Sequence, residues 1–145
     1  MIDLQKHREP LNAFWESEPF PHQVISNFWD HNFAQELCDE LPVPDSDKWN
    51  GYYNNAIEYK KTLNQWDKFD TRIYQAFTYL CSRQFTDYLS SVLKIPGLEP
   101  DVGLHGGGLH YYPEGGKLNP HIDYSHHPKL GYRRKVNILI YMNPA

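Results

Sequence analysis

The residues best suited by type and spacing to do chemistry are His121 and Asp123, within His121-Ile122-Asp123. On a β-strand, side chains at i and i+2 leave the same face, so an imidazole and a carboxylate two residues apart can grip one ion. A neutral imidazole with a carboxylate suits iron(II), and two histidines plus one carboxylate on one side of the metal leave three positions open. A chain of 145 residues with 8 His and 18 acidic residues also produces His-x-Asp by chance, so the surroundings have to decide.

Those surroundings are Tyr112-Pro113-Glu114-Gly115-Gly116-Lys117-Leu118-Asn119-Pro120 before the pair, and Arg134-Lys135-Val136-Asn137-Ile138-Leu139-Ile140-Tyr141-Met142-Asn143 after it. In this stretch the sequence closely resembles the prolyl 4-hydroxylase-like branch of the 2-oxoglutarate and iron(II) dependent oxygenases. The family shows, in the same order, a strand carrying Tyr, a glycine turn, the His-x-Asp strand, and an Arg followed by an apolar strand ending Tyr-x-Asn. The resemblance extends more loosely back through Pro19-Phe20-Pro21-His22 and the helix after it; its specific part runs from Gly106 to Asn143.

The resemblance implies an α+β fold in which N-terminal helices pack on a double-stranded β-helix, or jelly roll, with part of the strands in this chain. It makes His121 and Asp123 iron ligands, and Tyr112 and Tyr141 candidates to hydrogen-bond 2-oxoglutarate. A phenol suits that task, because it donates to a carboxylate while its ring rests on an apolar wall. Arg134 takes the family's place for a substrate-facing arginine, and His110, on the Tyr112 face of a regular strand, is a second substrate-binding candidate. The implied cofactors are Fe(II), 2-oxoglutarate as cosubstrate and O2, with ascorbate as an accessory by family resemblance. The expected reaction is hydroxylation of a peptide prolyl or small-molecule C–H bond with release of succinate and CO2. In the family the second iron histidine and the basic clamp for 2-oxoglutarate come after Tyr-x-Asn, so the expectation is a single domain over 1–145 that is C-terminally truncated. Two rivals stand beside it: a catalytically silent jelly-roll binding module, and a cupin-like metalloenzyme that does not use 2-oxoglutarate.

The elements that must position these residues read as helices first and strands later, with a helical part over about 22–97 and jelly-roll strands from about 104. Asp30 is placed to cap a helix running to about Leu41, where Phe33, Leu37 and Leu41 form one apolar stripe and Pro42 stops it. A second helical region covers Thr71 to Leu93, with Ser82 as a cap inside it. Between them the chain is polar and aromatic, with a short strand over Trp49 to Tyr53. Strands are expected at Leu109–Tyr112, Lys117–Asp123 and Lys135–Tyr141. Gly106-Gly107-Gly108 lacks the Lys-Ser/Thr and helix of a phosphate loop and is read as flexible entry to a strand.

Composition narrows the partners. The net charge of −4 comes from 14 basic and 18 acidic residues, with no long basic face for a phosphate backbone, so nucleic acid is excluded as a partner. The substrate is a small molecule or a peptide. No apolar stretch approaches the roughly 20 residues of a bilayer span, and Met1 to Trp15 lacks a signal peptide's apolar run. Cys38 and Cys81 have no metal-type spacing and are read as buried free thiols; the expected location is the cytoplasm. His126 and His127, next to the pair, and His105 are weaker candidates for the metal. Lys129, Arg133, Arg134 and Lys135 form a basic cluster beside it.

Overall fold

The computed structural model describes residues 8–142. The stretch 1–7 and Asn143 of the Tyr-x-Asn ending lie outside the described residues. The chain is mixed α and β and divides into two compact units, one made of the residues up to Leu41 with Asp70–Pro100, the other of Pro42–Phe69 with the residues from Asp101 onward.

The first unit is helical. It contains a single turn α1 (Arg8–Leu11), α2 (His31–Asp39), α3 (Thr71–Leu80) and α4 (Arg83–Leu93). The caps explain the boundaries. The Asp30 carboxylate accepts from the amides of Asn32 and Phe33 at 3.1 and 3.3 Å, and the Ser82 hydroxyl accepts from Phe85 N at 3.2 Å, so both expected caps are in place. Asp70 precedes α3 but gives no side-chain cap. Glu40, just past α2, does the work instead, accepting from Arg72 N at 2.6 Å and Ile73 N at 3.4 Å, where the helix dipole favours its charge.

Phe33, Leu37, Ile73, Ala76, Phe85, Leu89, Val92 and Leu93 are buried, which is what four-residue apolar spacing produces when amphipathic helices share one core. Trp29 sits edge-on to Phe33, with ring centroids 5.2 Å apart, and the Trp15 indole donates to Leu93 O at 2.7 Å, satisfying a C-terminal carbonyl of α4.

The second unit is built on a small antiparallel sheet of β1 (Asn50–Asn54), β2 (Glu58–Leu63), β3 (Leu109–Tyr111) and β4 (Lys117–Leu118). The expected helical part over 22–97 is thus interrupted by a hairpin. Its strand β1 meets the strand expected at Trp49–Tyr53, and β2 is new. The Asn55 side chain makes the reversal, its oxygen accepting from Ile57 N and Glu58 N at 2.8 and 2.9 Å, an Asx turn that ends one strand and starts the next.

β2 is the spine of the sheet. One edge pairs with β1, the other with β3 at Lys61–Leu63 and then with β4 at Glu58–Tyr59. Both β3 and β4 are antiparallel to β2, so they run in the same direction along one edge, and the Pro113–Gly116 turn is a detour between them. Gly108 opens β3 at φ +99; a Cβ there would collide with Leu63 O and the Asn64 backbone, so only glycine lets this strand start against the end of β2.

Two expected strands are shorter than their sequence pattern. Of Lys117–Asp123 only Lys117 and Leu118 pair, and Lys135–Tyr141 joins no ladder among the described residues. A strand exists through its partner's hydrogen bonds. The Asn119 amide still reaches Ile57 O at 2.8 Å, after which the Asn55 turn carries β2's edge away. No described helix is long and apolar enough to cross a membrane.

Candidate metal centre

Beyond β4 the chain runs through His121 and Asp123 and returns by a narrow ribbon. His127 N donates to Tyr132 O at 2.7 Å, Gly131 N to His127 O at 2.9 Å and Arg134 N to Ser125 O at 2.8 Å, and His126 bridges Arg133. The ribbon brings Arg134 and Asn137 back against Asp123, 11 and 14 residues away in sequence.

Asp123 has its two oxygens in different surroundings. Oδ2 accepts from the Arg134 guanidinium at 2.6 Å and from the Asn137 amide at 2.9 Å. Oδ1 faces His121 Nε2 at 3.3 Å. The Asn137 hydrogen bond is the main cause that holds the Asp123 carboxyl below the usual carboxylate range; burial opposes it, and the Arg134 charge adds to it. The group is a carboxylate at any neutral pH, pinned by one oxygen and open at the other.

His121 is set by its own backbone. Its Nδ1 lies 2.8 Å from Asn119 O, and a carbonyl only accepts, so Nδ1 carries the hydrogen. In the neutral imidazole Nε2 then keeps its lone pair, and it lies close to Asp123 Oδ1. Two acceptors facing each other at 3.3 Å repel unless a proton or a metal cation sits between them. Two ligands at right angles about an ion with bonds of about 2.1 Å are about 3.0 Å apart, so the spacing fits a shared divalent cation. Both side chains are 41% exposed, which leaves the gap reachable. The donor set therefore fits iron(II) as two of its ligands. Among the described residues no group of three His, Cys, Asp or Glu side chains converges.

Beside the pair is an open concavity of about 330 Å³ lined by Ile122–Ser125 and Arg134–Asn137. Arg134, expected to face substrate, is committed to Asp123 and stacks its guanidinium over the Tyr124 ring at 4.2 Å. Tyr124 in turn donates its hydroxyl to His105 O at 2.5 Å. His126 touches Ser125, its Nδ1 2.9 Å from the hydroxyl. His127 turns away: Nδ1 accepts from Lys129 N and Leu130 N at 3.2 and 3.0 Å, so Nε2 carries the hydrogen and points to Asp101 at 3.4 Å. It braces the loop and offers no lone pair to a metal.

Tyr112, Tyr141 and His110 do not line the concavity. Tyr112 and Tyr141 are 41% and 83% exposed. His110 pairs with Thr62 across the sheet, where crowding by neighbouring atoms, and then Lys60, lower its pKa despite an open surface.

The residues that sequence reasoning passed over are Asn119, Tyr124 and Asn137. The signal for Asn137 was present, as a lone amide in the apolar run Val136–Tyr141. No family model, curated protein or solved structure matches the chain.

Proposed function

We propose that the chain carries iron(II) ligands of a 2-oxoglutarate-dependent oxygenase that hydroxylates a C–H bond of a peptide prolyl or small-molecule substrate. The observation that carries this reading is His121 Nε2 standing 3.3 Å from Oδ1 of Asp123, while His121 Nδ1 is taken by Asn119 O and Asp123 Oδ2 by Arg134 and Asn137. In this reading the antiparallel sheet and the extended stretches 117–123 and 135–141 are strands of a double-stranded β-helix.

When bound, iron with oxygen supplies the oxidation: 2-oxoglutarate loses CO2 to become succinate, one oxygen atom entering succinate and the other the new hydroxyl. The chain's residues hold and orient. His121 Nε2 and Asp123 Oδ1 are the donors. Asn119 O fixes the His121 tautomer, and Arg134 with Asn137 fixes the Asp123 carboxylate so that it presents one oxygen. Tyr112 and Tyr141, both exposed and outside the concavity, are the candidates to hydrogen-bond the cosubstrate's carboxylates.

The test is succinate formation from 2-oxoglutarate with Fe(II), O2 and ascorbate. Succinate that depends on iron and falls at least a hundredfold in His121→Ala and Asp123→Ala supports the proposal. Metal binding without succinate would replace it with a cupin-like metal site, and neither would leave a silent binding module.

A further inference from the structure

The charges of this chain are unevenly distributed, and the uneven part lies at the metal centre. All 18 acidic residues, and only ten of the 14 basic ones, fall within residues 1–123; from Tyr124 onward there are four cations and no acid. One of the four, Arg134, is neutralised by Asp123 at 2.6 Å. Lys129, Arg133 and Lys135 are exposed, and among the described residues none of them has a carboxylate within ion-pair distance. Elsewhere acids are interspersed with the cations, and Lys60, Arg72 and Arg83 each lie within 3 Å of a carboxylate, while Lys68, Lys94 and Lys117 have no such pair among the described residues. A merely solvated face would mix the two signs, as the rest of this chain does.

The placement of the three cations adds a direction. Lys135 is in the wall of the concavity. Arg133, two residues back along extended chain, is displaced by roughly 7 Å, and Lys129 is at the turn of the ribbon that His127 N–Tyr132 O and Gly131 N–His127 O close. The cations step outward from the concavity along the ribbon. A free small acid would end its charges inside the concavity, whereas a chain with one residue seated there would lay its flanking residues along the ribbon.

We propose that the substrate is an acidic peptide segment: its reacting residue enters the concavity beside His121 and Asp123, and its flanking carboxylates pair with Lys135, Arg133 and Lys129. This rests on the oxygenase reading for what happens to the bound residue, and on the charge geometry alone for binding.

The test is therefore a binding measurement. A fluorescein-labelled peptide of proline and glycine with interspersed Asp is titrated against the protein by anisotropy, next to its Asn counterpart. Three exposed pairs at about 0.2–1 kcal/mol each predict a preference for the acidic peptide of roughly tenfold. It should shrink as salt shortens the Debye length from about 30 Å to about 8 Å. Combined Lys129→Gln, Arg133→Gln and Lys135→Gln should abolish the preference, and the single changes should each lower it; circular dichroism reports folding of each variant.

Equal affinity for the two peptides overturns the proposal, as does a preference that survives the combined change. Displacement of the peptide by free aspartate at comparable concentration would assign the cations to a small acid, and displacement by 2-oxoglutarate would assign them to the cosubstrate; either overturns it too. Succinate formation without peptide reports on the oxygenase reading separately, so the two can fail independently.

Discussion

The helical unit and the sheet unit use apolar residues in opposite ways. In the helical unit Phe33, Leu37, Ile73, Phe85, Leu89, Val92 and Leu93 are buried in one core. In the sheet unit Leu63 and Leu104 are buried, while Ile122, Leu139 and Tyr141 are 98%, 76% and 83% exposed. The cause is where each element finds its hydrogen-bond partners. A helix closes its backbone bonds internally and can commit its apolar stripe to packing, whereas an extended segment needs a neighbour before its alternation has an inside and an outside. The His121 and Asp123 pair lies in the second kind of region. It is held by side-chain hydrogen bonds and a narrow ribbon, and it is accessible for the same reason.

Deleting the Phe85 ring should give the largest effect. Phe85 is 2% exposed and packs against Phe28 and Tyr79, so Phe85→Ala should cost about 3–5 kcal/mol in denaturant unfolding. A loss below 1 kcal/mol would mean that the helical core is not the stable part of the molecule. Next, Asn137→Ala should weaken metal binding at His121 and Asp123 about tenfold or more by calorimetry, as loss of a group orienting a ligand does. It should also move the Asp123 carboxyl up toward its ordinary pKa in a carbon-detected titration. The sign follows from the depressed value: the stabilisation that Asp123 draws from Asn137 and Arg134 is complete above the ordinary carboxylate pKa and is lost as pH falls through the lowered one. An unchanged metal affinity would separate Asn137 from the site.

Removing a cap should have a smaller effect. Ser82→Ala deletes the acceptor for Phe85 N and should cost about 1 kcal/mol, a shift of a few degrees in thermal unfolding. Leu139→Asp should have the smallest, within about 0.5 kcal/mol, because the side chain is already in water. If it instead unfolds the protein, Leu139 is packed in solution and the contrast between the two units disappears.

The helical unit was largely legible along the chain. Asp30 and Ser82 announced their helices because a cap is a contact over three residues, and the stripes of α2 to α4 repeat within one turn. Glu40 was not legible as the cap of α3, since the contact spans 32 residues and leaves no local pattern. Strands were expected over 117–123 and 135–141, yet among the described residues only Lys117 and Leu118 pair, because pairing belongs to two segments at once and periodicity describes one.

At the site, sequence by itself determined the donor types, their spacing of two, and the absence of acids after Asp123. Tertiary structure alone decided which atoms are free: Asn119 O sets the His121 tautomer, and Arg134 and Asn137, returned by the ribbon, take one oxygen of Asp123 and leave the other. Residue type fixes what a side chain is able to donate or accept. Which lone pair stays unused depends on partners that only the folded chain brings within 3 Å.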